Sequence, residues 1–290
     1  MFPASFDYVC PTSLPEAVRF LNQHPEDAKI LAGGQSLIPI LKMRLAFPQF
    51  LLDIGRLPEL RKIQERKDSI EIGSMVRHVE IERSELLANA CPLLPETAAE
   101  VGDLQVRNRG TLGGSLAHAD PFADFPCAAL ALDARLSATS EQGRRTIAVK
   151  DFFVDLMTTA LRPNEILTSI QVPKQGPWSG SAYIKMHQQA SGFAITGVAS
   201  IVTLDTNGKV ETVRVAITGV GSVAYRARSV EKKLRGKIPG AHEIAEAAAH
   251  ATDGIEPLSD MHASASYRKE LAAVYTRRSL EKAVQRAAAQ

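Results

Sequence analysis

Thr111-Leu112-Gly113-Gly114-Ser115-Leu116-Ala117-His118-Ala119-Asp120-Pro121-Phe122-Ala123-Asp124 is the stretch on which the reading of this chain turns. It has an earlier counterpart, Ala32-Gly33-Gly34-Gln35-Ser36. In each, a Gly-Gly pair is followed by Ser, directly or after one polar residue. Glycine lets another group approach the backbone closely, and successive free N–H groups beside a hydroxyl form a nest for an anion such as a pyrophosphate. Each motif alone reads more readily as an ordinary tight turn. Taken together, they favour a dinucleotide gripped from two sides.

The surroundings of the two motifs set the fold. Before the first, Lys29-Ile30-Leu31-Ala32 is a short apolar run that predicts a buried strand. A capping-box pattern, Ser13 with Glu16, opens a helix carrying Leu14, Val18 and Leu21 on one face until Pro25. Residues 37–43 predict another helix and 50–54 a second strand, so a small parallel sheet is expected. From Leu57 the pattern changes. Ile70-Glu71-Ile72 alternates, 80–90 and 95–101 predict short helices, and 135–149 predict a hairpin around Glu141-Gln142-Gly143. A further strand runs from Ile166 to Val172 and ends at Pro173, which makes this region mainly antiparallel.

Residues 174–181, rich in Gly, Pro and Ser, are the expected domain boundary. Beyond them come three strand segments, 183–186, 199–204 and 210–217, the last two joined through the hairpin turn Asn207-Gly208. Ala-rich helices, 241–251 and 266–289, form the tail.

Composition removes several classes of function. The 34 basic and 32 acidic residues nearly cancel, so no broad nucleic-acid surface is expected. No apolar run reaches the 18 or so residues needed to span a membrane, and the first residues lack the basic and apolar regions of a signal peptide. Cys10, Cys91 and Cys127 are too few and too scattered to hold an iron–sulfur cluster. They fit a reduced, cytoplasmic compartment better than a disulfide framework. The seven histidines include no metal-ligand spacing.

Other candidates stay open at this level. Asp120 and Asp124 read as an acid–base pair, as a helix cap before 125–132, or, for Asp124, as an acceptor for ligand hydroxyls. Arg107 and Arg109 are either surface charges or phosphate partners. Gly219-Val220-Gly221-Ser222-Val223-Ala224 matches G-x-G-x-x-A, but residues 225–253 offer no second parallel strand. A strand-to-helix turn explains it better than a Rossmann site.

The first motif, the run Gln105 to Asp124 and Leu161-Arg162-Pro163-Asn164-Glu165-Ile166-Leu167 together resemble the FAD-binding, or medium, subunit of the xanthine dehydrogenase and molybdenum hydroxylase family. The likeness is nearest the carbon monoxide dehydrogenase branch and runs over essentially the whole chain. It implies an α+β fold: a two-subdomain FAD-binding domain of the vanillyl-alcohol-oxidase (PCMH) type over 1–176, split at about 56, then a small C-terminal α+β domain, 177–290, with a three-stranded antiparallel sheet.

The same resemblance implies site residues. Lys29, Ala32, Gly33, Gly34, Gln35, Ser36 and Leu37 would hold non-covalent FAD from one side, and Thr111, Leu112, Gly113, Gly114, Ser115 and His118 from the other. Asp124 would bind the flavin chain, Ile166 and Leu167 would line the ring, and Lys185 would lie near it. No residue is assigned as a catalytic acid or base. Molybdopterin would sit on a large partner subunit and two [2Fe–2S] clusters on a small one, in a dimer of heterotrimers. Electrons would leave for quinone, NAD or oxygen. Two features depart from the family: Phe193 follows Gly192 where the carbon monoxide branch often has Tyr, and the cluster-bearing insertion of the benzoyl-CoA reductase branch is absent. Two rival readings are a self-contained flavin oxidase, with His118 as a covalent attachment point, and an assembly subunit with a vestigial site.

Overall fold

The computed structural model describes residues 2–289. Three strands, β1 (Asp7–Val9), β2 (Ala28–Leu31) and β3 (Phe50–Asp53), form a parallel sheet in the order β1-β3-β2. Helices α1 (Leu14–Gln23) and α2 (Leu37–Lys42) connect them. Ser13 caps α1 as expected by accepting from the Glu16 N–H, but the Glu16 carboxylate turns to the Thr12 N–H instead of closing the box. Strand β1 carries no sequence signal, because its three residues stay largely exposed and show no alternation.

A second, wholly antiparallel sheet has the order β4-β5-β10-β6-β7. Its strands are β4 (Ile63–Glu65), β5 (Ser69–Gly73), β6 (Arg135–Ser140), β7 (Gly143–Ala148) and β10 (Ile166–Pro173). The small hairpin β8 (Phe153–Asp155) and β9 (Thr158–Thr159) stands apart. Between β5 and β6 run six short helices: α3 (His78–Glu82), α4 (Glu85–Ala90), α5 (Leu93–Ala99), α6 (Leu104–Arg109), α7 (Leu112–His118) and α8 (Asp124–Ala131).

The third sheet contains β11 (Ser179–His187), β12 (Ala194–Leu204), β13 (Val210–Thr218) and β14 (Tyr225–Arg226), followed by α9 (Arg228–Leu234), α10 (Ala241–Ala248) and α11 (Ala265–Ala288). Two expectations change here. The sheet has a fourth, two-residue strand, so Gly219–Ala224 links β13 to β14 rather than to a helix. The coil expected over 174–181 is also shorter. Ser179, Gly180 and Ser181 pair with β12, and a Cβ on Gly180 would collide with the α11 backbone at Ala283. That glycine serves close helix-on-sheet packing.

Helix α8 ties the layers together. All eight of its residues are buried, the pattern of a helix enclosed on every side. Phe125, Cys127 and Ala128 share one apolar cluster with Leu136 and Ile170 of the second sheet and with Ala199 and Ala216 of the third. The Cys127 thiol approaches the Ala216 carbonyl at 3.0 Å. The amino end of this helix opens on a cavity whose wall includes Ala123 and Asp124.

Candidate functional site

A cavity of about 530 Å³ lies among β2, α2, the 74–78 segment, α7, the start of α8 and the start of β10. The two glycine motifs meet across it, for different structural reasons from those the sequence suggested.

In the first motif, Gly34 has φ +74°, a left-handed value that favours glycine. Gly33 is fixed by proximity: a Cβ there would strike the Arg109 carbonyl, so the two motifs are packed backbone to backbone. Among the described residues, the N–H groups of Gly33, Gly34, Gln35 and Ser36 have no acceptor within the protein. They line the cavity and form the free nest.

The second motif is not a loop. Leu112 to His118 form α7, with Thr111 as its N-cap, so Gly113 and Gly114 occupy a first helical turn. The N–H groups of Leu112, Gly113 and Gly114 are taken by Val76 O, Ser74 O and Thr111 Oγ1, and that of Ser115 by Thr111 O. This motif therefore contributes shape more than free donors. Gly113 is needed because Ser74 lies against it. A Cβ on Gly114 would meet Thr111 Oγ1 at 2.7 Å and come within 3.6 Å of the Ala32 Cβ, filling the slot between the motifs.

Lys29, Ala32, Gly33, Gly34, Gln35, Ser36, Leu37, Thr111, Gly113, Gly114, Ser115, His118, Asp124, Ile166 and Leu167 all line the cavity. Leu112 does not. Its side chain turns the other way, into the core beside Leu116, as alternate faces of a helix require. Lys185 also falls short of the cavity wall. It sits behind Asp124, with its ammonium 2.9 Å from the carboxylate and donating to the Glu100 carbonyl.

The Tyr183 hydroxyl donates to the same carboxylate at 2.5 Å. Tyr183 and Lys185 are two apart on β11 and so project from one face of the strand. Burial pushes the Asp124 carboxyl up, against the opposing pull of Lys185 and Tyr183. It pushes the Tyr183 phenol well up too, helped by the Asp124 charge. Asp120 and Asp124 share no hydrogen bond among the described residues: Asp120 accepts from the Phe122 N–H and shapes the turn, while Asp124 is engaged by Tyr183 and Lys185. The N-cap of α8 is Ala123, with Asp124 as its first residue.

Arg107 donates to the Ala99 and Val101 carbonyls and lies 2.9 Å from Glu82, so it is structural. Glu165 was missed as a wall residue. Arg145 grips its carboxylate in two bonds of 2.6 and 2.8 Å, and the Arg162 N–H adds a third. Burial raises Glu165, but these partners outweigh it and hold the carboxyl below its ordinary value. The pair fixes the turn that leads into Ile166 and Leu167. Phe193 lines the cavity from the β11–β12 turn, where Gly192 rests against Gly102.

His78 was also unseen in the sequence. It stacks on Phe125 with ring centroids 4.8 Å apart, and burial with the nearby Arg107 charge lowers its pKa to about 3. An unfolded histidine takes up its proton near 6.5. Between those values only the unfolded chain is protonated at this position, so His78 makes stability fall as pH falls through that window. From pH 6.5 to 5 its contribution should drop by about 2 kcal/mol. Urea titrations of wild type and His78→Leu at both pH values isolate this share. Equal pH dependence in the two proteins would refute it.

Residues 4–175 match the family described as the FAD binding domain in molybdopterin dehydrogenase, and residues 181–283 match the CO dehydrogenase flavoprotein C-terminal domain. The chain belongs to this family of FAD-binding subunits. It is 41% identical, over 99% of its length and 97% of the relative's, to 6-hydroxypseudooxynicotine dehydrogenase complex subunit alpha of Paenarthrobacter nicotinovorans. It is 38% identical to the carbon monoxide dehydrogenase medium chain of Hydrogenophaga pseudoflava, over 99% of this chain and 100% of that one. A solved carbon monoxide dehydrogenase from that organism, lacking the Mo-pyranopterin moiety of its molybdenum cofactor, superposes with a TM-score of 0.96 over 99% of both chains. The α+β fold, the FAD cofactor and the oxidoreductase class read from the sequence agree with this membership. No helix among the described residues is long and apolar enough to cross a membrane.

The cavity fits FAD on structural grounds of its own. It offers a nest of four unclaimed N–H groups, and a glycine slot that a single Cβ would fill. Apolar walls from Ile166 and Leu167 continue from it, with a carboxylate at Asp124.

Proposed function

We propose that this chain is the flavin station of a three-chain molybdenum hydroxylase, taking electrons from [2Fe–2S] clusters on a small partner and delivering them to quinone, NAD or oxygen. The relatives are named as chains of multi-subunit enzymes, which supports a large molybdopterin partner as well. A dimer of three-chain units in the cytoplasm completes the reading. The observation that carries it is the nest of Gly33 to Ser36 facing Gly114 across a cavity that ends on apolar strand residues.

When bound, FAD exchanges electrons singly or in pairs, which lets it join one-electron donors to a two-electron acceptor. The chain's own residues bind and orient. Gly33, Gly34, Gln35 and Ser36 present donors to the pyrophosphate. Asp124, held by Tyr183 and Lys185, offers acceptor oxygens to hydroxyls of the flavin chain. Ile166 and Leu167 exclude water from the ring, on a turn clamped by Arg145 and Glu165. The substrate is selected elsewhere: chains about equally similar to this one serve enzymes named for carbon monoxide and for a nicotine derivative.

Native mass spectrometry of the protein from its source should show two further chains bound, one carrying molybdenum and one carrying iron. A free monomer would overturn the proposal. Trichloroacetic acid should release the flavin into the supernatant, since the assigned contacts are hydrogen bonds and packing. Flavin retained in the pellet would point to covalent attachment and an oxidase.

A further inference from the structure

The wall opposite the first glycine motif carries two polar groups with nothing to bind. Ser74 Oγ and His78 Nδ1 are buried and have no hydrogen-bond partner among the described residues, although both residues line the cavity. Buried polar atoms without partners are uncommon in folded proteins, and each calls for a ligand or a reason.

Their placement is enforced by backbone pairing. The His78 N–H donates to Gly110 O, the Leu112 N–H to Val76 O and the Gly113 N–H to Ser74 O, and Arg77 bridges Thr111. Residues 74–78 are thereby laid along the approach to α7. The Ser74 N–H donates to Thr168 O, so Ser74 touches both Gly113 and the strand that carries Ile166 and Leu167. Ser74 therefore stands between the glycine slot and the strand that lines the far part of the cavity. His78 stands further along, beside Gly110 and against Phe125.

We propose that Ser74 and His78 are hydrogen-bonding contacts for the uncharged parts of the bound dinucleotide, its hydroxyls, ring nitrogens and carbonyls. This rests on the FAD reading of the cavity. A hydroxyl and a neutral imidazole carry no charge to set against a phosphate, and the phosphate is already provided for by the nest. The imidazole is held neutral by burial and by the nearby Arg107 guanidinium.

The test uses the signs of two effects. The variants are Ser74→Ala, His78→Leu and His78→Gln in the full chain, stripped of flavin and titrated with FAD by fluorescence quenching. Each apolar replacement should weaken FAD binding about 5- to 10-fold, the worth of a typical hydrogen bond. The flavin-free variants should melt at or above the wild-type temperature, because a buried unsatisfied polar group is removed. His78→Gln, which keeps a donor and an acceptor, should recover part of the affinity. If wild type binds FAD and all three variants match it within twofold, the proposal fails while the FAD site stands. Loss of flavin-free stability in step with affinity, without recovery in His78→Gln, would mean a packing role and also overturn it. Failure of wild type itself to bind FAD would bring down the site reading as a whole.

Discussion

Gly114→Val should give a soluble, folded and colourless protein. The new Cβ and its methyls occupy the slot between Thr111 Oγ1 and the Ala32 Cβ, where the two motifs face each other. A phosphate displaced from that slot leaves the N–H groups of Gly33 to Ser36, and each charge-assisted bond is worth about 1.5–3 kcal/mol. Losing two lowers FAD affinity by about two to four orders of magnitude. The cost to folding is smaller, because the collision is with one hydroxyl that caps α7, and a lost cap costs about 1 kcal/mol. Gly221→Ala is the control, since its methyl meets the flexible Ile255 side chain at 3.2 Å, away from the cavity. Flavin titration and far-ultraviolet circular dichroism read both variants. Unchanged affinity in Gly114→Val, or loss of flavin in Gly221→Ala, would refute the slot.

Lys185→Met should destabilise the chain by about 3–5 kcal/mol, the usual result of removing one partner of a buried ion pair. The Lys185 side chain is fully buried and that of Asp124 nearly so, so the orphaned carboxylate has only Tyr183 left to it. The melting temperature should fall on the order of 10 °C. The double variant Asp124→Asn/Lys185→Met should regain most of that stability, because no charge is stranded. Additive losses in this cycle would show that the pair is not coupled. Flavin titration of the double variant then separates the two roles of Asp124: recovered stability with weak FAD binding is expected.

Much of this architecture was legible because its elements are periodic. The strands around Ile30, Leu52, Ile72 and Ile170 and the hairpins at Gly143 and Gly208 follow from apolar alternation and turn chemistry. Strands β1, β4 and β14 were not, since two or three residues give no period. Helix α7 hid because Gly-Gly weakens a helix by about 1 kcal/mol per residue. Here tertiary bonds from Ser74 and Val76 override that propensity. The site divides in the same way. Both glycine motifs were visible, but which of them keeps its donors free depends on pairing with 74–78, a contact no local pattern encodes. Ser74 and His78 belong to no motif and acquire their place only through that pairing. The Asp124–Lys185 relation likewise needs the third sheet to be laid against α8.

The burial of α8 on every side bears on how such proteins can be rearranged. One end of the helix reaches the cofactor cavity, and its body is clasped between the second and third sheets. Severing the chain near residue 176 would leave an apolar rod facing water and strip Asp124 of Tyr183 and Lys185 at once. A chimera that takes its front from one relative and its back from another inherits a mismatched surface around α8, with its redox centre next to the seam.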